Sequence, residues 1–318
     1  MAKYIIKGGN KLEGRIRVTG AKNSILPILA AVILTSKPVI IHDCPRLTDV
    51  ENMLLILEAI GCKTKREGTT LIIDPSTLST SVIPDRYVRE LRSSIIFLGA
   101  MLARTGKARV TYPGGCEIGQ RPIDLHLSGL RQLGVKIDES HGYLDCSVDE
   151  LRGADIHLDY PSVGATENII LAASRAKGYT VIRNAAKEPE IVDLQNFINS
   201  MGGNVSGAGT NTIIIEGKEK YDTTEYTVIP DRIVTGTYLL AAAITGSSIM
   251  VDNVVIEHIQ SIIAKLRSSG CIVKPYKNSV YISAPERPNA IEHTITLPYP
   301  GFPTDMQALL MSYLTIAR

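Results

Sequence analysis

Cysteine, arginine, aspartate and histidine crowd into one stretch, Pro113 to His126 (PGGCEIGQRPIDLH), together with three glycines and two prolines. Glycine frees φ and proline fixes it, so the backbone there is shaped rather than regular. A cysteine on such a loop is at least partly exposed, and the Arg121 guanidinium would stabilise its thiolate. Cys116 is therefore a candidate acid, base or nucleophile. The competing reading is a buried structural thiol, the usual fate of cysteine. Cys44, Cys62, Cys146 and Cys271 lie within or beside strand-like segments and read as core.

A second set of groups sits at the starts of Ala-rich, helix-like segments. Lys22-Asn23-Ser24 opens the first, with Asn23 or Ser24 available as a cap. Arg92 opens the second, Ser162-Val163-Gly164 the third, Pro230-Asp231-Arg232 the fourth and Pro303-Thr304-Asp305 the fifth. Helix N-termini carry partial positive charge, and added cations make sites for phosphates and carboxylates. Lys22 reads equally as a solvated side chain. Asp305 could take a proton from a substrate hydroxyl, or simply cap its helix. Of the six histidines, none has a paired or HExxH spacing, so no metal is expected; only His126, beside the Cys116 loop, stands out.

The bulk numbers narrow the class. The chain has 318 residues, 44% hydrophobic and 21% charged, with net charge +2. It is globular, with no charge argument for nucleic acid or membrane surface. Five scattered cysteines without a CxxC pair give neither a zinc site nor a disulfide framework. The first residues lack a signal-peptide apolar core, and the run Ile25 to Leu34 is too short to span a bilayer. A cytoplasmic location is expected. No GxGxxG or P-loop appears, and no cofactor is expected.

These groups must be held by a repeated scaffold. LEAIGCKTKREGTTLIID, LRQLGVKIDESHGYLDCSV, INSMGGNVSGAGTNTIIIEG and LRSSGCIVKPYKNSVYISA share one pattern, with helix-ending glycines at Gly61, Gly134, Gly202 and Gly270. The period is roughly 70 residues. Upstream of each lies an Ala-rich helix, a turn and a β-branched strand: AAVILTSKPVIIHDC, GAMLARTGKARVTYP, LAASRAKGYTVIRNA and LAAAITGSSIMVDN. One unit thus reads as helix, strand, helix and two-stranded hairpin, with glycine in αL ending the second helix. The Ala-rich helices should be buried, and helix–strand repeats argue for α/β layers with mixed sheets. A fifth unit begins at Pro303, and its helix, MQALLMSYLTIAR, runs to Arg318 without a following strand. Such a helix would have nothing to bury its apolar face against, so a C-terminally truncated chain is expected.

The segments GAKNSILPILAA, LRSSIIFLGAMLAR, PGGCEIGQRPIDLHL, SVGATENI, NAAKEPEIVDLQNF, PDRIVTGTYL and PGFPTDMQA together resemble the UDP-N-acetylglucosamine 1-carboxyvinyltransferases of the enolpyruvyl transferase family. The resemblance covers the whole chain. It implies βαβαββ-type repeats arranged as a two-domain inside-out α/β barrel, incomplete here at the C-terminus. The first domain would be residues 1–21 plus 230–318, and the catalytic-loop domain of three repeats would be residues 22–229.

The implied reaction moves the enolpyruvyl group of phosphoenolpyruvate to the 3-hydroxyl of UDP-N-acetylglucosamine and releases phosphate, the first committed step of peptidoglycan synthesis. By that resemblance Lys22 and Arg121 bind the phosphate and carboxylate of phosphoenolpyruvate, with Asn23 and Arg92 lining the pocket. Cys116 protonates phosphoenolpyruvate and is the thiol alkylated by fosfomycin. Asp305 takes the sugar-hydroxyl proton. Pro122, Ile123, Asp124, Leu125, Ser162 and Val163 surround the uridine and sugar. Tyr160 stands where some members carry lysine. A shikimate-type enolpyruvyl transferase shares the implied fold but not the cysteine loop. An inactive UDP-sugar-binding remnant is the reading from another functional class.

Overall fold

A computed structural model describes residues 3–112 and 122–318. The chain divides into two compact units, Met1–Thr19 with Pro230–Arg318, and Gly20–Ile229.

The elements follow the repeat. The N-terminal strand β1 (Arg15–Arg17) precedes α1 (Lys22–Ala31), β2 (Val39–His42), α2 (Thr48–Ala59), β3 (Lys63–Glu67) and β4 (Thr70–Asp74). The next repeat has α3 (Asp85–Glu90), a 3-10 turn at Arg92–Ile96, α4 (Phe97–Thr105), β5 (Lys107–Thr111), α5 (Asp124–Gln132), β6 (Lys136–Ser140) and β7 (Tyr143–Ser147). The third has β8 (Asp155–His157), α6 (Val163–Ala173), β9 (Tyr179–Arg183), α7 (Pro189–Ser200), β10 (Asn204–Ser206) and β11 (Thr212–Glu216). Then come β12 (Thr224–Thr227), α8 (Arg232–Ile244), β13 (Ser248–Asp252), α9 (Gln260–Ser268), β14 (Ile272–Pro275), β15 (Ser279–Ser283), a 3-10 turn at Thr304–Met306 and α10 (Gln307–Leu314).

Each repeat builds one small mixed sheet. In the third, β8 lies parallel to β9, and β11 and β10 follow antiparallel. In the unit Gly20–Ile229 the strand parallel to β2 is β12, from the far end of that unit; in the other unit the strand parallel to β13 is β1, from the N-terminus. β12 and β1 therefore join sheets remote from them in sequence, whereas β8 joins the sheet of its own repeat. In the second repeat the first strand shrinks to a single parallel bridge, Val82 to Arg109, beside the three-stranded β5-β7-β6 sheet.

The repeat glycines do what their positions demand. Gly61, Gly134, Gly202 and Gly270 have φ between +89° and +104°. At each, the glycine N–H and the next residue's N–H turn back to the helix: Gly61 to Glu58 and Cys62 to Leu57, and likewise at the other three. These are Schellman closures, satisfying carbonyls that the helix end leaves unpaired. After the second-repeat exception, a further signature marks the strand-to-helix turns: Asp43, Asn184 and Asn253 follow β2, β9 and β13 with φ of 58°, 56° and 59°. Short polar side chains tolerate αL and hydrogen-bond locally. Asn184 Nδ2 donates to the Leu158 carbonyl and Asn253 Nδ2 to Val18, tying each turn to the end of its first strand.

The Ala-rich helices are the core. All but Lys22 and Asn23 of α1 are buried, as is α6 from Ala165 to Ala173. Glycine permits the closest helix contacts: a Cβ on Gly99 of α4 would stand 2.2 Å from the Asn168 carbonyl of α6, and one on Gly129 of α5 would stand 2.3 Å from Ile169. The four cysteines Cys44, Cys62, Cys146 and Cys271 are buried core residues. Burial pushes the thiols of Cys44 up to about 11 and of Cys62 and Cys146 up to about 12, so they stay protonated and unreactive.

Two expectations need correction. Helix α1 is capped by neither Asn23 nor Ser24; its N-cap is Ala21, and Lys22 to Ser24 form the first turn. Helix α10 stops at Leu314 and does bury an apolar face, placing Leu310 and Tyr313 in a core with Leu239, Ala243 and Ile263. The chain beyond it pairs Arg318 with Pro288 and Ala290. Beyond Leu314 the bonds tighten into turn, the N–H groups of Ile316 and Ala317 reaching only three residues back, to Tyr313 and Leu314.

Candidate active site

The candidate residues of the unit Gly20–Ile229 sit at the N-terminal ends of its buried helices. Lys22 and Asn23 are exposed on the first turn of α1. Lys22 Nζ forms an ion pair with Asp49 on the first turn of α2, at 2.5 Å. Arg92 begins the 3-10 turn that leads into α4 and is half-buried; this turn packs against both α1 and α6. Ser162 is the N-cap of α6, its Oγ accepting from the Ala165 N–H at 3.4 Å, and Val163 is the first helical residue. Pro122 and Asp124 are exposed, while Ile123 and Leu125 are buried under α5. Tyr160 is exposed two residues before the α6 cap.

Cys116 and Arg121 lie outside the described residues, so the thiol–guanidinium pairing rests on sequence. The connection that holds them is longer than its counterparts: residues 112–123 join β5 to α5, whereas 43–47 join β2 to α2 and 184–188 join β9 to α7. Tyr112 follows β5 in the position that Asp43, Asn184 and Asn253 take after β2, β9 and β13. The second repeat thus departs from the pattern where the reactive side chains are concentrated.

Asp305 belongs to the other unit. It lies exposed in the 3-10 turn after Pro303, whose N-cap position makes no side-chain hydrogen bond, and α10 has no side-chain cap either. The capping alternative is therefore not what Asp305 does here. By contrast Asp231 is a true cap, its Oδ1 accepting from Ile233 at 2.8 Å and Val234 at 3.0 Å.

Three groups near these helix starts were not singled out from the sequence. Asn168 is fully buried in α6 and bonds His126, Ile95 and Gly99. Glu167, its neighbour, is buried so completely that its carboxyl is pushed well above the usual range, with the charges of Glu190 and Glu188 adding to the shift. Burial thus favours its neutral form. Asp193 on α7 is held at about 6 by burial. Their signal was available: Thr166-Glu167-Asn168 puts three consecutive polar residues inside an otherwise apolar helix. His126 was noticed, and it is buried, with its ring pushed down to about 4 by burial first and by the Arg92 charge second.

The arrangement brings cationic and N–H-donating groups onto one unit. Lys22, Arg92, the α6 N-terminus and a neutral imidazole all belong to one unit and are supported by packed helices. Among the described residues no group of three or more His, Cys, Asp or Glu side chains could hold a metal ion, and no helix is long and apolar enough to cross a membrane.

Comparison with known proteins gives a consistent result. Residues 6–318 match the model of a family described as EPSP synthase (3-phosphoshikimate 1-carboxyvinyltransferase). A UDP-N-acetylglucosamine 1-carboxyvinyltransferase 2 from Caldanaerobacter subterraneus subsp. tengcongensis is 56% identical over 318 residues, 100% of this chain and 76% of that one. A UDP-N-acetylglucosamine 1-carboxyvinyltransferase 1 from Symbiobacterium thermophilum is 50% identical over 316 residues, 98% of this chain and 71% of its own length. Among solved structures, the enolpyruvyl transferase NikO from Streptomyces tendae shares the fold with a TM-score of 0.87 at 23% identity, covering 98% of this chain and 74% of that one. An EPSP synthase from Acinetobacter baumannii gives 0.69 at 19% identity, covering 92% and 68%.

Proposed function

The chain belongs to the EPSP synthase family of enolpyruvyl transferases, and from that premise we propose that it transfers the enolpyruvyl group of phosphoenolpyruvate to the 3-hydroxyl of UDP-N-acetylglucosamine. The observation that carries this reading is 56% identity along the whole chain to a relative that bears that activity as its name. The polar helix starts support it, since both substrates are anionic and the floor of the site is cationic or N–H-donating.

The chemistry is an addition followed by an elimination. A proton goes to C3 of phosphoenolpyruvate while the sugar 3-oxygen bonds to C2 and gives up its own proton. The C2–O bond to phosphate then breaks, C3 loses a proton, and the enol ether and inorganic phosphate remain. We assign the C3 proton to Cys116 and the hydroxyl proton to Asp305, which is exposed and free of a capping role. Lys22 and Arg121, with Asn23 and Arg92, take the phosphate and carboxylate, where fixed cations offset the charge that builds as phosphate leaves. Pro122, Ile123, Asp124, Leu125, Ser162 and Val163 take the uridine and sugar. A cytoplasmic role in peptidoglycan synthesis, and hence in cell-wall growth and division, follows from the product.

The test is phosphate release from phosphoenolpyruvate by this chain, with UDP-N-acetylglucosamine, with shikimate 3-phosphate, and with neither, beside Cys116→Ala. Release that depends on the UDP-sugar and is lost in the variant is the expected result. Release with shikimate 3-phosphate instead would overturn the assignment of the acceptor.

A further inference from the structure

His126 carries a hydrogen-bond pattern that the reaction above does not use. Asn168 accepts the backbone N–H of Gly99 at 2.6 Å through Oδ1. A backbone N–H only donates, so that atom is the amide oxygen and the other is the NH2. The NH2 has two protons. One goes to the Ile95 carbonyl at 3.1 Å, and the other faces His126 Nδ1 at 3.0 Å. Nδ1 must then be the acceptor, and the ring proton sits on Nε2. A doubly protonated ring would set two donors against each other. Burial and the nearby Arg92 charge disfavour that form too, holding the ring down to about 4.

The Nε2–H lies beside the first turn of α6. A Cβ on Gly164 would stand 3.2 Å from Nε2 and 3.1 Å from Cε1, so the absent side chain is what leaves the ring edge clear. Asn168 is fully buried and His126 is 6% exposed, yet no hydrogen bond joins Nε2 to any described residue. In the same turn Ser162 satisfies the Ala165 N–H with its side chain and the Thr166 N–H with its carbonyl. The N–H groups of Val163 and Gly164 precede the first intrahelical acceptor, as in any helix. Two backbone donors and an imidazole donor thus gather at the start of α6, and the ring also feels the charges of Arg92 and, more weakly, Asp124.

We propose that Asn168 is a positioning residue of the nucleotide site, fixing His126 as the Nε2–H tautomer so that this proton is donated to a phosphate oxygen of the nucleoside diphosphate at the start of α6. The proposal rests on the UDP-sugar reading for the identity of the ligand. The tautomer follows from the protein alone. A lysine or a charged histidine would attract any phosphate, whereas a neutral, fixed donor rewards only an oxygen at the right place, which suits a substrate that must be oriented rather than merely held.

The experiment is nitrogen NMR on 15N-histidine-labelled protein, with His126→Gln to assign the signal. The expected result between about pH 6 and 8 is an unprotonated Nδ1 and a protonated Nε2, with no titration in that window. Adding UDP should move the Nε2 signal, and adding phosphoenolpyruvate or inorganic phosphate should not. In kinetics, Asn168→Asp offers a carboxylate to Nδ1, so the neutral ring carries its proton there and Nε2 no longer donates. It should raise KM for the UDP-sugar about tenfold, one charge-assisted hydrogen bond, with KM for phosphoenolpyruvate within about twofold. Gly164→Ala, which crowds the ring without touching the amide, should raise the same KM while the tautomer persists. An Nδ1–H tautomer in the unmodified protein overturns the proposal. So does UDP-sugar binding, seen by calorimetry, that leaves Nε2 unmoved, and in that case the transferase reading stands. Absence of any UDP-sugar binding overturns both.

Discussion

Asp193 should make this protein's stability fall as pH rises. Its side chain is 1% exposed, with Tyr226 Oη donating to Oδ1 at 2.5 Å and the Ile229 N–H donating to Oδ2 at 3.3 Å. Burial raises the carboxyl from 3.8 to about 6; the hydrogen bonds pull the other way, and the charge of Glu190 adds to the rise. The folded state therefore binds this proton more tightly than the unfolded chain. The stabilisation is complete below the unfolded value and is lost as pH climbs through the folded one. A shift of about two units corresponds to about 3 kcal/mol. Asp193→Asn cannot ionise. It leaves one acceptor oxygen for two donors, a fixed cost of about 1 kcal/mol that does not vary with pH. The stability of the variant relative to the parent should thus improve by about 3 kcal/mol between about pH 4 and pH 8. Carboxyls held low by partners, such as Asp252 beside Arg15 and Asp155 beside Arg183, tilt both curves in the opposite direction and cancel in the difference. Urea unfolding of both proteins across that range, followed by circular dichroism, measures it. A difference that stays constant with pH would show that Asp193 is not held protonated by burial.

Glu167→Gln should gain stability relative to the parent as pH rises above the ordinary carboxylate range, because burial pushes the Glu167 carboxyl well above that range; a variant that instead loses stability relative to the parent as pH rises would mean the group is a paired anion. Gly202→Ala meets no atom within 4 Å and should cost only the αL strain, about 1 kcal/mol, whereas Gly61→Ala puts a Cβ 2.6 Å from the Thr77 carbonyl and Ser79 Oγ and should cost about 1–3 kcal/mol more. Equal losses on urea unfolding would refute the distinction. Fosfomycin should add its mass to Cys116 in the presence of UDP-N-acetylglucosamine and to no other cysteine, since the rest are buried; an unchanged Cys116 peptide would remove the assignment.

The repeat was legible because its punctuation is chemical. A helix that ends in a Schellman closure needs αL, and glycine at Gly61, Gly134, Gly202 and Gly270 is the residue that takes it without strain. The αL residues Asp43, Asn184 and Asn253 carry the same kind of signal at the other turn, but Asp and Asn have many uses and did not stand out. The first strands were harder. β8 and β1 are three residues long and β12 is four, too short for an alternating pattern to emerge, and β1 and β12 pair with strands about two hundred residues away in sequence. No local pattern carries that information.

The site divides along the same line. Lys22, Arg92, Ser162 and Asp305 were found because a charged or capping residue before an apolar helix is a visible discontinuity. Asn168 was passed over because it lies inside the helix, where polar residues are usually read as tolerated exceptions. Its importance comes from what three other segments present to it: the Gly99 N–H from α4, the Ile95 carbonyl from the turn before α4, and His126 from α5. A buried amide with both protons committed and its oxygen accepting from a backbone N–H leaves its neighbours one choice of tautomer. That constraint exists only after folding brings the four segments together. The sequence can flag it solely by the cost it implies: three consecutive polar residues, Thr166 to Asn168, buried in a helix that is otherwise apolar persist only where each finds a partner or a neutral form.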